Sequence, residues 1–118
     1  MKHNYFLESI LKYLFGNKKD SQSENGRSLV FENNGRSGYA IYQDGNKTTK
    51  FYTEVGGGDC IFYMVIPSAE EWESQTNYSS GERDEIVKYI TEESLRKQAN
   101  LPGSCYNIEE NHIVFYQK

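Results

Sequence analysis

Histidine occurs twice in this chain and cysteine twice, and the shortage removes whole classes of chemistry. A structural zinc site needs about four clustered nitrogen or sulfur ligands. His3 and His112 stand at opposite ends of the chain, and Cys60 and Cys105 form no C-x-x-C pair. A Cys60–His112 or Cys105–His112 couple of nucleophile and base has no supporting spacing. The segment DGNKTTKFYTE lacks the alternating oxygen ligands of a calcium loop. Carboxylate pairs occur on any acidic protein, so they do not argue for glycoside hydrolysis. No metal and no cofactor is expected, and nothing marks the chain as an enzyme.

Long apolar runs are also missing. No stretch reaches the roughly 20 residues that span a bilayer. The start, MKHNYFLESILKYLFGNKK, interrupts its apolar residues with Glu8, Ser9 and Lys12 and has no small-residue cleavage site. It does not read as a leader, so the expectation is a cytoplasmic protein with reduced thiols. An excess of positive charge is the third absence. The net charge is −4, and an acidic surface repels phosphate backbones, so neither nucleic acid nor membrane is an expected partner.

What is present is aromatic. Ten tyrosines and 14% aromatic residues, in a chain only 36% hydrophobic, point to half-buried sheets and binding surfaces. At 118 residues the chain suits one domain, 1–118, large enough to fold without disulfide or metal. Charge is uneven: residues 1–20 carry +2, which leaves −6 for the remainder. Between Ser68 and Glu93, eight acids face only Arg83 and Lys88. Such a run serves as a solvated helix face or as a surface for a basic protein partner.

Residues 1–16 read as an amphipathic helix, with Phe6, Ile10, Tyr13 and Leu14 on one side and Leu7 and Leu11 widening it. Its polar side has few cations for a membrane surface. Docking on a sheet fits better, and burial against a second copy would make a homo-oligomer. Residues 17–26 form a polar, glycine-flanked linker. Then the period becomes two. RSLVFE, GYAIYQ, KFYTEV and CIFYMVI read as strands, separated by Asn33-Asn34-Gly35 and Asp44-Gly45-Asn46, which suit tight hairpins. The tetrapeptide NGRS precedes a strand at Asn25–Ser28 and again at Asn34–Ser37, a repeated turn chemistry.

The run GGGDC, Gly56 to Cys60, is the most reactive-looking stretch. Phosphate loops join a strand to a helix, whereas this run joins a strand to a strand, with Glu54 and Asp59 adding negative charge. A hairpin bend or bulge is the simplest reading. CIFYMVI is apolar on both alternating faces, which predicts a central strand covered on both sides. Beyond Pro67, Ser68 with Glu71 and Ser79 with Glu82 have capping-box spacing. They introduce a short helical turn at AEEWES and a long helix through ERDEIVKYITEESLRKQA, with Ile86, Val87, Ile90 and Ser94 inward. SCYNIEENHIVFYQ closes the chain as a hairpin around Glu109–Asn111. The expected fold is α+β: a mainly antiparallel sheet of about six strands packed with an N-terminal helix and one long helix, in the order α-β-β-β-β-α-β-β. The passage from CIFYMVI through the long helix to SCYNI is a candidate crossover for one parallel pair.

The block FYTEVGGGDCIFYMVIPSAEEWES, the helix after it and the last hairpin resemble small uncharacterised bacterial proteins with a glycine-triplet-Asp turn, a Pro-Ser-x-x-x-Trp turn and one long helix. In size and acidity the chain also resembles immunity proteins. That resemblance implies a non-enzymatic module that covers a toxin's active site with an acidic, aromatic surface. The partner-binding candidates are Glu70, Glu71, Trp72, Glu73 and Tyr78, with Trp72 either a core residue or an exposed anchor. A second reading is a ligand-binding or enzymatic centre at Glu54, Gly57, Asp59 and Cys60. A third is self-assembly through the N-terminal helix.

Overall fold

In a computed structural model of the chain, the residues described are 26–117. The expected N-terminal helix over 1–16, and all of the linker over 17–26 except Gly26, lie outside them. The first four strands are β1 (Arg27–Asn34), β2 (Ser37–Asp44), β3 (Lys47–Val55) and β4 (Cys60–Val65). A short helix α1 (Trp72–Thr76), a 3-10 turn (Ser80–Glu82) and the long helix α2 (Arg83–Lys97) follow, and β5 (Ser104–Ile108) and β6 (His112–Gln117) end the chain. The α+β class and the antiparallel sheet hold. The short helical turn expected at AEEWES and the long helix both separate β4 from β5, with a 3-10 turn between them, so the order holds more helical elements than α-β-β-β-β-α-β-β gives.

Turn chemistry sets the register of the first three strands. Gly35 and Gly45 adopt positive φ, 75° and 63°, a conformation that side chains with a Cβ rarely take. The two-residue links they open place Asn34 opposite Ser37 and Asp44 opposite Lys47. The sheet order is β1-β2-β3-β4-β6-β5, and every neighbouring pair is antiparallel. The anticipated parallel pair does not form. β4 and β5 do run in the same direction, but β6 returns from β5 around Glu109–Asn111 and takes the place beside β4. β6 brings Ile113 and Phe115 into the core whereas β5 buries no residue fully, so β6 gains more from the interior place and β5 is left at the edge.

One face of the sheet carries the core. Leu29, Ala40, Tyr42, Phe51, Phe62, Met64, Ile113 and Phe115 alternate inward from five strands. They pack against Trp72 of α1 and against Ile86, Val87, Tyr89 and Ile90 of α2. Phe62 stacks on Phe115 across β4 and β6 at 4.4 Å between ring centres. The helix ends follow the signals in the chain. The Glu82 carboxylate accepts from the Ser79 backbone N–H at 2.9 Å and from its hydroxyl at 3.1 Å, contacts that hold it below the usual carboxylate range. Lys97, in the last turn of α2, donates to the Leu29 carbonyl at 2.8 Å, and Arg27 bridges to Glu85 at 3.1 Å. Both contacts tie α2 to β1.

The opposite, outer face departs from expectation. β4 is central as predicted, yet among the described residues the helices cover only its core side. Val65 is 42% exposed and Tyr63 only half-buried. Tyr63 tolerates this position because its hydroxyl finds a carboxylate partner (Glu54, below), so its apolar ring does not require a covering helix.

Candidate functional site

The glycine run is a hairpin bend. Gly56 N–H donates to the Ile61 carbonyl at 3.1 Å and Cys60 N–H to the Gly57 carbonyl at 3.0 Å, which closes the chain between β3 and β4. A Cβ on Gly56 would collide with the Cys60 side chain, whereas Gly57 faces open space. Asp59 is exposed, and burial pushes the Cys60 thiol above its ordinary pKa, away from thiolate reactivity. Gly57, Asp59 and Cys60 line neither the cavity beside Tyr39, Tyr52 and Tyr63 nor the smaller one beside Phe31, Thr53 and Phe62. Glu54 points elsewhere, towards Tyr52 and Tyr63. The four residues of the ligand-centre reading therefore do not converge.

The register also separates the cysteines from each other and from His112. Cys60 and Cys105 flank Tyr116 from either side, two strand spacings or about 10 Å apart, beyond the reach of a disulfide. His112 pairs with Val65, at the far end of β4 from Cys60, about 16 Å along the strand. Cys105 is opposite Tyr116, four residues from His112 along β6, or about 13 Å. Neither thiol meets the imidazole. No group of three or more metal-ligating side chains occurs among the described residues, and no described helix is long and apolar enough to cross a membrane.

Of the partner-binding candidates, the structure divides the acids from the aromatics. Glu70, Glu71 and Glu73 are exposed around the start of α1. Trp72 is 0% exposed and stacks nearly parallel to Phe51 with ring centres 6.2 Å apart, and Tyr78 is buried against Tyr42. Of the two readings of Trp72, core residue or exposed anchor, the core residue is the one found, and Tyr78, a partner-binding candidate, is enclosed with it. The reason is the parting of two strands: β3 pairs with β4 only at Thr53, Glu54 and Val55, so the first half of β3 has no strand on that side, and α1 plugs the gap. Thr49 donates to the Thr76 carbonyl at 3.2 Å and Lys47 to the Asn77 carbonyl at 3.1 Å, which ties the end of α1 to β3.

The same gap opens on the outer face as a groove of about 820 Å³. Its aromatic wall is Tyr39, Tyr52 and Tyr63, from three adjacent strands. Val65 and His112 form the far side, and Glu71 and Gln75 of the α1 region lie at one end. Tyr39 and Tyr52 are cross-strand partners, edge-to-face at 6.0 Å and 38% and 37% exposed. The Lys50 ammonium lies 4.1 Å above the Tyr39 ring. Beside the groove, one oxygen of Glu54 accepts from both the Tyr63 and Tyr52 hydroxyls, each at 2.9 Å. Those bonds hold the Glu54 carboxyl below its usual range and raise both phenols. The result is a pre-set row of rings with one fixed negative charge. His112 is 3.7 Å from Glu109 and edge-on to Tyr63 at 6.5 Å, so the imidazole belongs to the wall.

No protein family, curated protein or solved structure matches the chain. The tyrosine row was not picked out as a site from sequence. A signal for it existed: the Gly45-Asn46 turn sets residues 39 and 52 opposite each other, which places two tyrosines side by side.

Proposed function

We propose that this chain is a non-enzymatic protein-binding module. It docks a basic segment of a partner in the tyrosine-lined opening between β3 and β4, with the acids at the start of α1 steering the approach. The observation that carries the reading is the groove itself: about 820 Å³ of concave, largely pre-formed surface on the outer face, walled by Tyr39, Tyr52 and Tyr63 and ending at Glu71. Tyrosine supplies rigid contact area with a polar tip and is enriched where binding energy concentrates. Glu70, Glu71 and Glu73 raise association rate more than affinity, because charges at a rim act mainly on encounter. The immunity-like role expected from size and acidity is one form this function takes, with a toxin as the partner.

The test uses defined probes. An eight-residue peptide of alternating Arg and Leu and its Glu–Leu counterpart are titrated into the isotope-labelled chain while backbone resonances are followed. The basic peptide should shift Tyr52, Tyr63, Glu71 and His112, less so at high salt, and the acidic peptide should not. Shifts spread evenly along α2, or equal responses to both peptides, would remove the groove from consideration.

A further inference from the structure

The sheet ends in two edge strands, β1 and β5, and the described residues close only the first. The two-residue link between β1 and β2 makes Asn34–Ser37 a hydrogen-bonded pair, so every second residue back from Asn33 turns its backbone groups away from β2. α2 meets two of them: Lys97 donates to the Leu29 carbonyl at 2.8 Å and Tyr89 to the Arg27 carbonyl at 3.4 Å. At the other edge, the Glu109 N–H donates to the His112 carbonyl at 2.8 Å, which sets the phase of the last hairpin. Cys105 and Asn107 then bond to β6, while Ser104, Tyr106 and Ile108 turn their backbone groups outward. The Ser104 N–H is used within the chain, on the Leu101 carbonyl at 3.1 Å. No described residue hydrogen-bonds to the outward groups of Tyr106 and Ile108, and their side chains are 43% and 45% exposed. Edge strands are ordinarily blunted by lysine, proline or a bulge. SCYNI has no charge and no proline, and it pairs with β6 without a break.

We propose that β5 is an interface between copies of this chain, the strand of one copy pairing antiparallel to that of a second about a two-fold axis at Tyr106. The outward groups are self-complementary. With Tyr106 opposite its own counterpart, the two residues exchange both N–H···O bonds. Each Ile108 N–H then meets the Ser104 carbonyl of the other copy, the one outward group Ser104 has left. Cross-strand partners share a face, so Tyr106 and Ile108 lie on the side of Phe115 and Ile113, the core side. Pairing carries that apolar face across the axis and covers the exposed flanks of both side chains. Charge permits the register: the loop acids Glu109 and Glu110 come opposite Gly103 and Pro102, not opposite each other. Because α2 occupies the β1 edge, the assembly stops at two copies. A strand of five residues is a small contact, so the dimer forms and dissociates with concentration. β5 lines no part of the tyrosine groove, and this inference does not depend on any partner entering it.

The experiment is sedimentation velocity on the full chain from micromolar to millimolar concentration. The mean mass should rise from that of one copy towards twice that value; a mass fixed at one copy, or one that climbs past two, overturns the proposal. Amide exchange on the unmodified chain, followed by NMR over the same range, should slow at Tyr106 and Ile108 and stay constant at Asn107, which is already bonded to β6. Constant exchange at all three also overturns it. A further arm uses charge at the axis. Tyr106→Lys and Tyr106→Glu each set like charges opposite each other and should remain monomeric throughout. Mixed in equal amounts they should pair again, Lys opposite Glu. Single variants that dimerise as the parent does, or a mixture that stays monomeric, would move the contact away from Tyr106 and overturn the two-fold pairing.

Discussion

The two faces of the sheet are built from the same alternating strands and have opposite fates. On the core face, rings and aliphatic side chains from five strands meet two helices, and the largest of them, Trp72, is wholly enclosed. On the outer face, Tyr39, Tyr52 and Tyr63 stand in a row, and the hydroxyls of Tyr52 and Tyr63 hold one carboxylate. The difference teaches that aromatic content alone does not say where a ring goes. Tyr42, Tyr78 and Tyr89 are enclosed together with Trp72 and the core phenylalanines, whereas Tyr39, Tyr52 and Tyr63, the same residue type, stand in the half-wet layer. The acids divide in the same way. Those that end helices on the core side are engaged, as Glu82 is with Ser79, while Glu70, Glu71 and Glu73 project towards water beside the groove.

Truncation should expose this contrast most strongly. Trp72→Ala empties a fully enclosed site and should cost about 3–5 kcal/mol in urea unfolding. Tyr52→Ala should cost under about 1 kcal/mol, since the ring is only partly covered. Equal losses would show the two faces to be energetically alike. Next in size is a comparison inside the glycine run. Gly56→Ala drives a methyl into Cys60 and should cost about 1–3 kcal/mol, whereas Gly57→Ala should stay within about 0.5 kcal/mol. Similar melting temperatures for the two variants would contradict a close-packed bend.

Charge reversal of Glu70, Glu71 and Glu73 to Lys should slow association with the basic peptide at low salt by about tenfold or more, with little change in melting temperature. A stopped-flow series against salt concentration measures it. The smallest expected effect is on titration. In the folded chain the Tyr63 and Tyr52 hydroxyls depress the Glu54 pKa. The unfolded chain therefore binds this proton more readily than the folded one. Its contribution to stability is in place above the ordinary carboxylate range and is lost as pH falls through the depressed folded value. Tyr63→Phe should move the Glu54 carboxyl towards its ordinary value, followed by NMR of the side-chain carbon; an unmoved midpoint would detach Glu54 from the tyrosine row.

Much of the fold is legible because the deciding interactions are local. Asn-Gly and Asp-Gly turns require positive φ, the Ser79–Glu82 spacing marks a helix start, and Ile86, Val87, Ile90 and Ser94 recur at helical spacing; each signal sits within a few residues. The candidate site was less legible. Trp72 and Tyr78 have no local feature that tells enclosure from exposure, and their fate depends on β3 and β4 parting after three paired positions. The all-apolar CIFYMV strand implied two covered faces, but Tyr63 is satisfied by a carboxylate from the neighbouring strand, a partner nine residues away in the chain.

The sequence by itself determined the strands, their hairpin turns, the Ser79–Glu82 cap that leads into the long helix and the status of the triple glycine as a bend, because turn geometry and side-chain period act over short distances. Only the tertiary structure decided that β6 takes the place beside β4, that Trp72 belongs to the core, and that three tyrosines from three strands form a wall beside one ionised glutamate. Those outcomes depend on strand order and on the point where two strands diverge, and both are set by long-range packing.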